Sequence, residues 1–455
     1  MERESFKSRL GFLLISAGCA IGVGNVWRFP YVAGNSGGGI FVLFYLFFLI
    51  VMGVPILTME FAIGRKSRKS VVTCFQEIEQ PGQKWHVFGK LALIGNYVLM
   101  FFYTTVAGWM LNYFLKFLTG TIESATPEAS AESFALMLSS PGELMLWMLV
   151  VTVVSFAVCS LGLQKGVEKI TKVMMIALLL LISVLAIHSL TLEGGMEGLS
   201  FYLKPDLNKM KEVGTVNVIV AAMNQSFFTL SIGIGSMAIF GSYMKKDHTL
   251  LGESVQIVIL DTFVAIVAGL IIFPACFAFG VKPDVGPSLI FVTLPNVFHA
   301  MSGGRIWGTL FFLFMTFASA STLIAVFENI IACCMEIFHI ERKKAAWLNC
   351  AFIIIGSIPC VLGFNLLSGF TPFGAGSNVL DLEDFIVSNL LLPIGSLIFL
   401  IFCVSKRGWG FDGYRAEVNE GKGIKMPAWI RGYVTYVLPL LIIVLLIMGL
   451  IDKFA

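Results

Sequence analysis

The chain of 455 residues is strongly apolar: 57% of its residues are hydrophobic, only 13% are charged, and 41 are phenylalanines. A soluble protein of this composition would expose a largely apolar surface, so the composition predicts a polytopic membrane protein instead. The formal net charge of +3 is small. We attribute it to basic loops beside the membrane, and it does not call for a nucleic-acid partner.

Eleven segments are long and apolar enough to cross a bilayer, which takes about 20 mostly apolar residues. We name them span 1 to span 11 in chain order. They cover residues 11–33, 38–63, 88–118, 143–161, 166–189, 214–243, 250–280, 305–338, 345–363, 379–404 and 428–451. Span 1 is not expected to be a signal peptide, because its apolar stretch is too long and contains Arg28.

The lysines and arginines predict how the chain is oriented. Most of the 31 fall before span 1 or in the loops that share a side with the N-terminus. Because cytoplasmic loops carry the excess of positive charge, we expect a cytoplasmic N-terminus and an extracellular C-terminus. The expected location is the cell membrane, with lipid around the spans.

Spans 1 and 6 both contain residues that weaken a helix at mid-membrane depth. Residues 17–31 read AGCAIGVGNVWRFPY, and residues 224–237 read NQSFFTLSIGIGSM. Small residues spaced four apart also serve close helix packing, and this alternative remains open for each segment alone. Each segment, however, begins a group of five spans. Because five is an odd number, the second group enters the membrane from the opposite side to the first group. This arrangement is typical of secondary transporters with inverted repeats.

We therefore expect an all-α fold of two inverted five-helix repeats, with spans 1 and 6 unwound at mid-membrane, followed by span 11. Unwinding frees carbonyls for a hard cation and N–H groups for a carboxylate. The expected divisions are a cytoplasmic segment (1–10), the first repeat (11–190), an extracellular loop (191–213), the second repeat (214–404), a cytoplasmic loop (405–427), and span 11 with a short C-terminus (428–455).

Ionisable residues inside spans are costly and are functional hypotheses by default. Glu60 ends span 2, and we expect it to be a structural anchor for unwound backbone rather than an ion ligand. Asp261 lies in the middle of span 7. A bound sodium ion would keep it charged, whereas the alternative is a protonated aspartate bonded to a neighbouring helix.

Charges nearer the ends of the spans suggest two gates. Arg28 and Asp384 are expected to close the outer side, and Arg3 and Glu336 the inner side; the alternative for Arg28 and Asp384 is a pair of solvated interfacial charges. In span 8, the hydroxyls of Ser321 and Thr322 either bond their own helix or complete a sodium site.

Three motifs are shared with a known family: GNVWRFPYVAGNSGGGIF (24–41), GVPILTMEFAIGR (53–65) and QSFFTLSIGIGS (225–236). With them the chain resembles the neurotransmitter:sodium symporters, particularly their bacterial amino-acid members. The resemblance covers spans 1 to 10 and implies a leucine-transporter-like fold in a bacterial inner membrane. It implies a transporter and not an enzyme.

The resemblance implies two sodium sites, each built only from oxygen, as a hard cation requires. The first would use the Ala20 carbonyl and the side chains of Asn25, Thr229 and Asp261, completed by the substrate's carboxylate. The second would use the carbonyls of Gly18, Ile21 and Ala318 and the hydroxyls of Ser321 and Thr322.

The resemblance also implies a substrate site between spans 1, 3, 6 and 8. Its polar part would comprise Ala20, Gly22, Gly24, Tyr103, Phe228, Thr229 and Ser231. Its apolar part would comprise Cys19, Leu99, Ile234, Thr322, Leu323, Ala325 and Val326. Tyr103 and Phe228 would join Arg28 and Asp384 in the outer gate, and Tyr243 would join Arg3 and Glu336 in the inner gate.

Gly22 bears on the substrate class, since monoamine members of the family carry an aspartate there. A glycine leaves room for a substrate that brings its own carboxylate. Asp261 stands where many members of the family carry asparagine, and Ala265 stands where chloride-dependent members carry serine, so we expect no chloride requirement. If Asp261 returned protonated, the transporter would also move protons outward.

The sequence thus predicts sodium-coupled import, with two sodium ions, of a neutral aliphatic or aromatic amino acid by alternating access. The alternatives are transport of related amines or of organic and indole acids, and a substrate-gated channel or receptor. The sequence does not define the oligomeric state.

Overall fold

The computed structural model describes residues 4–122, 126–281 and 287–454, and the regular elements in these ranges are all helices. The helices are Arg9–Ala20 and Gly24–Asn35 in span 1, Gly39–Ser67 in span 2, His86–Thr119 in span 3, Pro141–Ser160 in span 4, Leu163–Leu190 in span 5, Thr215–Thr229 and Ser236–Tyr243 in span 6, Leu250–Ala278 in span 7, Gly304–Phe338 in span 8, Arg342–Leu362 in span 9, Val379–Val404 in span 10, and Ile430–Ile451 in span 11. The all-α prediction is confirmed.

Nine of these helices, in the part of the chain that the structure describes, are long and apolar enough to cross a membrane unbroken. The two helices of span 1 form a tenth candidate, bent by 58° at the break. The helices of span 6 are each too short to cross a membrane alone. The total of eleven spans therefore stays a prediction.

Both interruptions occur where the backbone dihedral angles are not those of an α-helix. The first helix of span 1 ends at Ala20, and Ile21 is extended. In span 6 three residues of the break have positive φ angles: Ser231 at 51°, Gly233 at 108° and Gly235 at 70°. Glycine reaches such angles at little cost, which explains why glycines lie in this break.

Packing brings the two interruptions into the centre of the bundle. The first helix of span 1 contacts spans 5, 7 and 8, while span 8 also packs along span 3. The inner helix of span 6, Ser236–Tyr243, packs against span 2. The broken segments are therefore surrounded by continuous helices that can supply side chains to them.

Shorter helices lie in the connections: Val71–Ile78, Pro127–Ser139, Gly195–Leu203, Leu207–Val213, Leu289–Ala300 and Phe411–Val418. Two of them, Gly195–Leu203 and Leu207–Val213, fall within residues 191–213, where we predict only an extracellular loop. All nine cysteines are buried and free of disulfides, so they pack as small apolar residues.

Candidate functional site

Backbone carbonyls at the break of span 1 lie close to two side-chain hydroxyls of span 8. Ser321 Oγ lies 3.0 Å from the Gly18 carbonyl oxygen. Thr322 Oγ1 lies 3.2 Å from the same oxygen and 3.4 Å from the carbonyl oxygen of Ile21. The Ala318 carbonyl lies 2.9 Å from Ser321 Oγ and 3.4 Å from Thr322 Oγ1. The five oxygens predicted for the second sodium site are thus together, and the set fits a hard cation.

The predicted first sodium site is a buried network around Asp261. Asn25 Nδ2 donates to Asp261 Oδ1 at 2.8 Å, and Thr229 Oγ1 donates to Asp261 Oδ2 at 2.9 Å. Tyr45 also donates to Oδ2, at 3.4 Å. No more than 1% of any of these residues is exposed. The carboxylate is held by neutral donors, so it can accept a cation without breaking an existing ion pair.

Asn25 is the member of the first set whose orientation does not yet suit a cation. Its amide nitrogen faces Thr229 and Asp261, while its Oδ1 accepts from the Gly22 N–H at 3.0 Å. Rotating the carboxamide by half a turn would exchange the two atoms and present oxygen to the site. The side-chain oxygens of Asn25, Thr229 and Asp261 would then form an all-oxygen set of the kind that sodium requires.

A cavity borders this network between spans 1, 3, 6, 8 and 10. Its lining comprises Cys19, Ala20, Gly22, Val23, Gly24, Asn25, Leu99, Phe102, Tyr103, Phe228, Thr229, Ser231, Thr322, Val387 and Leu392. Ten of the fourteen residues predicted for the substrate site are among them. Ile234, Leu323, Ala325 and Val326 are buried but do not line the cavity. In this structure, side chains of spans 3 and 10 line the cavity instead of these four.

Gly22 lies against polar groups of two other spans. A Cβ at this position would lie 2.7 Å from the Tyr103 hydroxyl oxygen and 3.1 Å from Thr322 Oγ1. The Tyr103 hydroxyl also accepts a hydrogen bond from the Val23 N–H, with 3.3 Å between the oxygen and the nitrogen. The close approach excludes any larger residue without displacement of Tyr103.

The outer-gate residues are arranged differently from the expectation. The Arg28 guanidinium stacks over the Phe228 ring, 4.7 Å from its centroid, and Phe228 packs on Gly24. Asp384 accepts from Ser388 at 2.7 Å, one turn along its own helix. The predicted Arg28–Asp384 ion pair is absent from this structure, in which Arg28 stacks on Phe228 and Asp384 accepts from Ser388.

The inner-gate residues belong to two networks. Tyr243 donates to Glu328 Oε1 at 2.6 Å, and Arg342 donates to both oxygens of Glu328, at 2.6 and 3.0 Å. Glu336 accepts from the Ser70 N–H at 3.0 Å and from the Ser70 and Thr73 hydroxyls. Arg3, its predicted partner, lies outside the described residues.

Glu60 binds the break of span 6. It is fully buried, and its carboxylate accepts from the backbone N–H of Gly233 and, at 3.3 Å, of Met237. Asn96 of span 3 reaches the same break, where its Nδ2 donates to the Ile234 carbonyl and its Oδ1 accepts from Ser236, both at 2.8 Å. The geometry is that of an anchor for unwound backbone.

Several contributors were missed from the sequence: Val23, Phe102, Val387 and Leu392 in the cavity, Asn96 at the break, and the Glu328–Arg342 pair. The apolar residues carry no signal that separates a pocket wall from ordinary packing. Glu328 did carry one, since it lies inside span 8 and a charge inside a span calls for a partner.

The family model of the sodium:neurotransmitter symporter family matches residues 3–132 and 128–454 of this chain. The chain belongs to this family. It is therefore a sodium-dependent symporter, a multi-pass membrane transporter and not an enzyme.

Similar proteins agree with this assignment. The chain is 35% identical over 395 residues to a sodium-dependent transporter of Bacillus subtilis, YhdH, a match covering 87% of this chain and 86% of the relative. It is 26% identical over 500 residues to the sodium-dependent serotonin transporter of Drosophila melanogaster, covering 98% and 76%. The crystal structure of MhsT in complex with L-phenylalanine superposes with a TM-score of 0.88 at 36% identity, covering 98% of this chain and all of MhsT.

Proposed function

We propose that this symporter couples two sodium ions to the import of a neutral, hydrophobic amino acid. The observation that carries the proposal is the contact of Gly22 with the Tyr103 hydroxyl, which a carboxylate side chain at this position would have to displace. A negative charge beside the first sodium site, in addition to that of Asp261, would then come from the substrate. A substrate with its own carboxylate supplies it.

The polarity of the cavity supports an amino acid. Main-chain groups freed at the two breaks, together with the Tyr103 and Ser231 hydroxyls, offer donors to a carboxylate and acceptors to an ammonium. Leu99, Phe102, Val387 and Leu392 offer only apolar surface. MhsT, whose structure is so similar, binds L-phenylalanine, which supports an apolar substrate side chain here.

The surroundings of Asp261 support transport without chloride. The hydroxyls of Tyr45 and Thr229 both donate to Asp261 Oδ2. Ala265, one turn along span 7, adds no hydroxyl. The fixed carboxylate takes the place of the anion, and its protonation on the return step would give proton counter-transport.

In the transport cycle, sodium bound to the carbonyls of span 1 stabilises the state open to the outside, and the substrate completes the first sodium site. Tyr103 and Phe228 then close the cavity above the substrate. Sodium transfers the energy of its gradient only through its different affinity for the outward and inward states. We place the N-terminus in the cytoplasm and the protein in the plasma membrane, as the distribution of lysine and arginine indicates.

The test is uptake into proteoliposomes with an inward sodium gradient, using labelled L-phenylalanine, L-leucine, tryptamine and indole-3-acetate. We expect concentrative uptake of at least one of the two amino acids, no uptake when potassium replaces sodium, and no change when gluconate replaces chloride. Uptake of tryptamine or indole-3-acetate without uptake of either amino acid would overturn the assigned substrate class.

A substitution in the cavity tests the same assignment of substrate class. Gly22→Asp introduces a carboxylate against Tyr103, so we expect loss of amino-acid uptake by more than about tenfold. Gly142, around which there is free space, provides the matched control as Gly142→Asp. Equal loss in both variants would show that the effect is not specific to the cavity.

A further inference from the structure

Two buried asparagines form a polar layer two helical turns from the substrate cavity. Asn96 of span 3 precedes the cavity residue Tyr103 by seven positions, and Asn329 of span 8 follows the cavity residue Thr322 by seven. Residues seven apart lie on the same face of a helix. Asn96 and Asn329 are both fully buried, and Asn329 Nδ2 donates to Asn96 Oδ1 at 3.2 Å. Spans 3 and 8 are therefore joined by a hydrogen bond next to the cavity.

Asn96 makes every hydrogen bond that a carboxamide can make. Its Nδ2 donates to the carbonyl of Ile234 in the break of span 6 and to the carbonyl of Ala92 in its own helix, both at 2.8 Å. Its Oδ1 accepts from Ser236 Oγ at 2.8 Å and from Asn329. Because the two carbonyls can only accept, the amide nitrogen must face them, and the orientation of the carboxamide is fixed.

The segment that Asn96 holds contributes to the cavity. Ser231, three residues before Ile234, lines the cavity and has a φ angle of 51°. This left-handed conformation is unfavourable for a residue with a side chain, so contacts with neighbouring spans must maintain it. Asn96 supplies two such contacts to the segment, at Ile234 and at Ser236.

The Ile234 side chain packs behind the apolar wall of the cavity. A Cβ on Gly95 of span 3 would lie 3.0 Å from Ile234 Cγ2 and 3.2 Å from Leu391 Cδ1 of span 10, so both side chains pack on this glycine. Leu99 lies one turn from Gly95 on the same face of span 3, and it lines the cavity. Val387 has the same relation to Leu391 in span 10. Ile234 is 1% exposed and lies one layer behind this wall.

Glu60 and Asn96 hold different groups of the broken segment. The Glu60 carboxylate accepts from the N–H groups of Gly233 and Met237. Asn96 instead binds the carbonyl of Ile234, which lies between them in the chain. Loss of the Asn96 side chain therefore releases Ile234, while Glu60 still holds the segment on both sides of it.

We propose that Asn96, oriented by Asn329, is a positioning residue that keeps Ile234 against the cavity wall and so limits the size of the substrate side chain. The inference rests on the proposed function and concerns the same cavity. Neither asparagine lines the cavity, so both act through Ile234. When the carbonyl of Ile234 is released, its side chain can move away from spans 3 and 10, and the wall in front of it can yield to a larger substrate.

The first test compares two substrates of different size. Uptake of labelled L-leucine and L-phenylalanine into proteoliposomes gives a KM for each. In Asn96→Ala we expect the KM of L-phenylalanine, relative to that of L-leucine, to fall about fivefold or more from the wild-type ratio, because the wall is no longer supported. Asn329→Ala leaves the other three hydrogen bonds of Asn96 in place. For this variant we expect a shift of about twofold in the same direction.

Asn349→Ala is the matched control. Asn349 is a buried asparagine of span 9, whose Nδ2 donates to the Ala345 carbonyl and whose Oδ1 accepts from the Tyr97 hydroxyl. Its loss removes the same chemistry away from the break of span 6 and should leave the KM ratio unchanged. A wild-type ratio in Asn96→Ala, or a shift toward L-leucine, would overturn the proposal. If Asn96→Ala does not fold, an unchanged ratio in Asn329→Ala would overturn it equally.

The second test determines whether Asn96 acts through Ile234. Ile234→Ala removes the side chain behind the wall and should shift the KM ratio toward L-phenylalanine, as Asn96→Ala does. In the double variant the two shifts should not add, because Asn96 has no Ile234 side chain left to position. Additive shifts would contradict the proposal.

Failure of this inference is distinguishable from failure of the proposed function. Wild type that takes up neither amino acid would overturn the proposed function, and this inference with it. Uptake by wild type, with an unchanged KM ratio in the variants, would overturn this inference alone.

Discussion

The breaks of spans 1 and 6 are held in different ways, although both interrupt a helix at the centre of the bundle. At the break of span 1, the carbonyls of Gly18 and Ile21 accept from the hydroxyls of Ser321 and Thr322. At the break of span 6, the Glu60 carboxylate and the Asn96 carboxamide bind the backbone directly. Hydroxyls can turn and share carbonyls with a cation, whereas a buried carboxylate fixes the chain.

This difference assigns separate tasks to the two breaks. On the proposed mechanism, the break of span 1 is an exchangeable site that binds and releases sodium in each cycle. The break of span 6 would then be a permanent structure that shapes the substrate cavity. Substitutions at the two breaks should therefore separate loss of folding from loss of sodium affinity.

The largest effect is expected at the anchor of span 6. Glu60→Ala leaves the N–H groups of Gly233 and Met237 buried without acceptors, which should lower the free energy of unfolding by about 3 kcal/mol or more. Thermal stability of the purified protein measures this. Glu77→Ala, an exposed acid on the helix Val71–Ile78, should leave stability unchanged. A stable Glu60→Ala protein would show that the break does not depend on its anchor.

The second-largest effect is expected at Asp261, whose carboxylate contacts both Asn25 of span 1 and Thr229 of span 6. Asp261→Asn removes the fixed anion and leaves the Tyr45 and Thr229 hydroxyls without it. We expect sodium-driven uptake to fall by about tenfold or more in gluconate and to recover when chloride is restored. Uptake by Asp261→Asn that is independent of chloride would contradict the role given to the carboxylate.

A smaller effect is expected at the exchangeable break. Ser321→Ala removes one of five oxygens around the carbonyls of span 1, and we expect about a tenfold rise in the sodium concentration for half-maximal uptake. Ser319→Ala is a matched control, because the Ser319 hydroxyl donates to the Thr316 carbonyl of its own helix. If the two variants had equal sodium affinities, the second sodium site would be wrongly placed.

The sequence predicted most of the helices, because a membrane span needs a long apolar run and leaves little choice of structure. The ends of the predicted spans fall within about four residues of those in the structure. The helices Gly195–Leu203 and Leu207–Val213 were not predicted, because short connecting segments carry no comparable constraint.

The candidate site could be predicted where polar atoms define it. The oxygens of Gly18, Ile21, Ser321 and Thr322 come together because unwound carbonyls and hydroxyls inside lipid have few other partners. The Arg28–Asp384 pair was predicted but is not formed, since Phe228 and Ser388 lie closer to the two charges. Local competition of this kind depends on rotamers, which the sequence does not specify.

The most direct test of the central claim is the effect of sodium alone on the melting temperature of the purified protein. Sodium should raise the melting temperature of wild type in a saturable manner, while potassium at equal ionic strength should not, because a ligand that binds only the folded state stabilises it. Ser321→Ala should lose most of this increase, and Ser319→Ala should retain it. An equal increase with potassium, or in Ser321→Ala, would contradict a sodium site at the break of span 1.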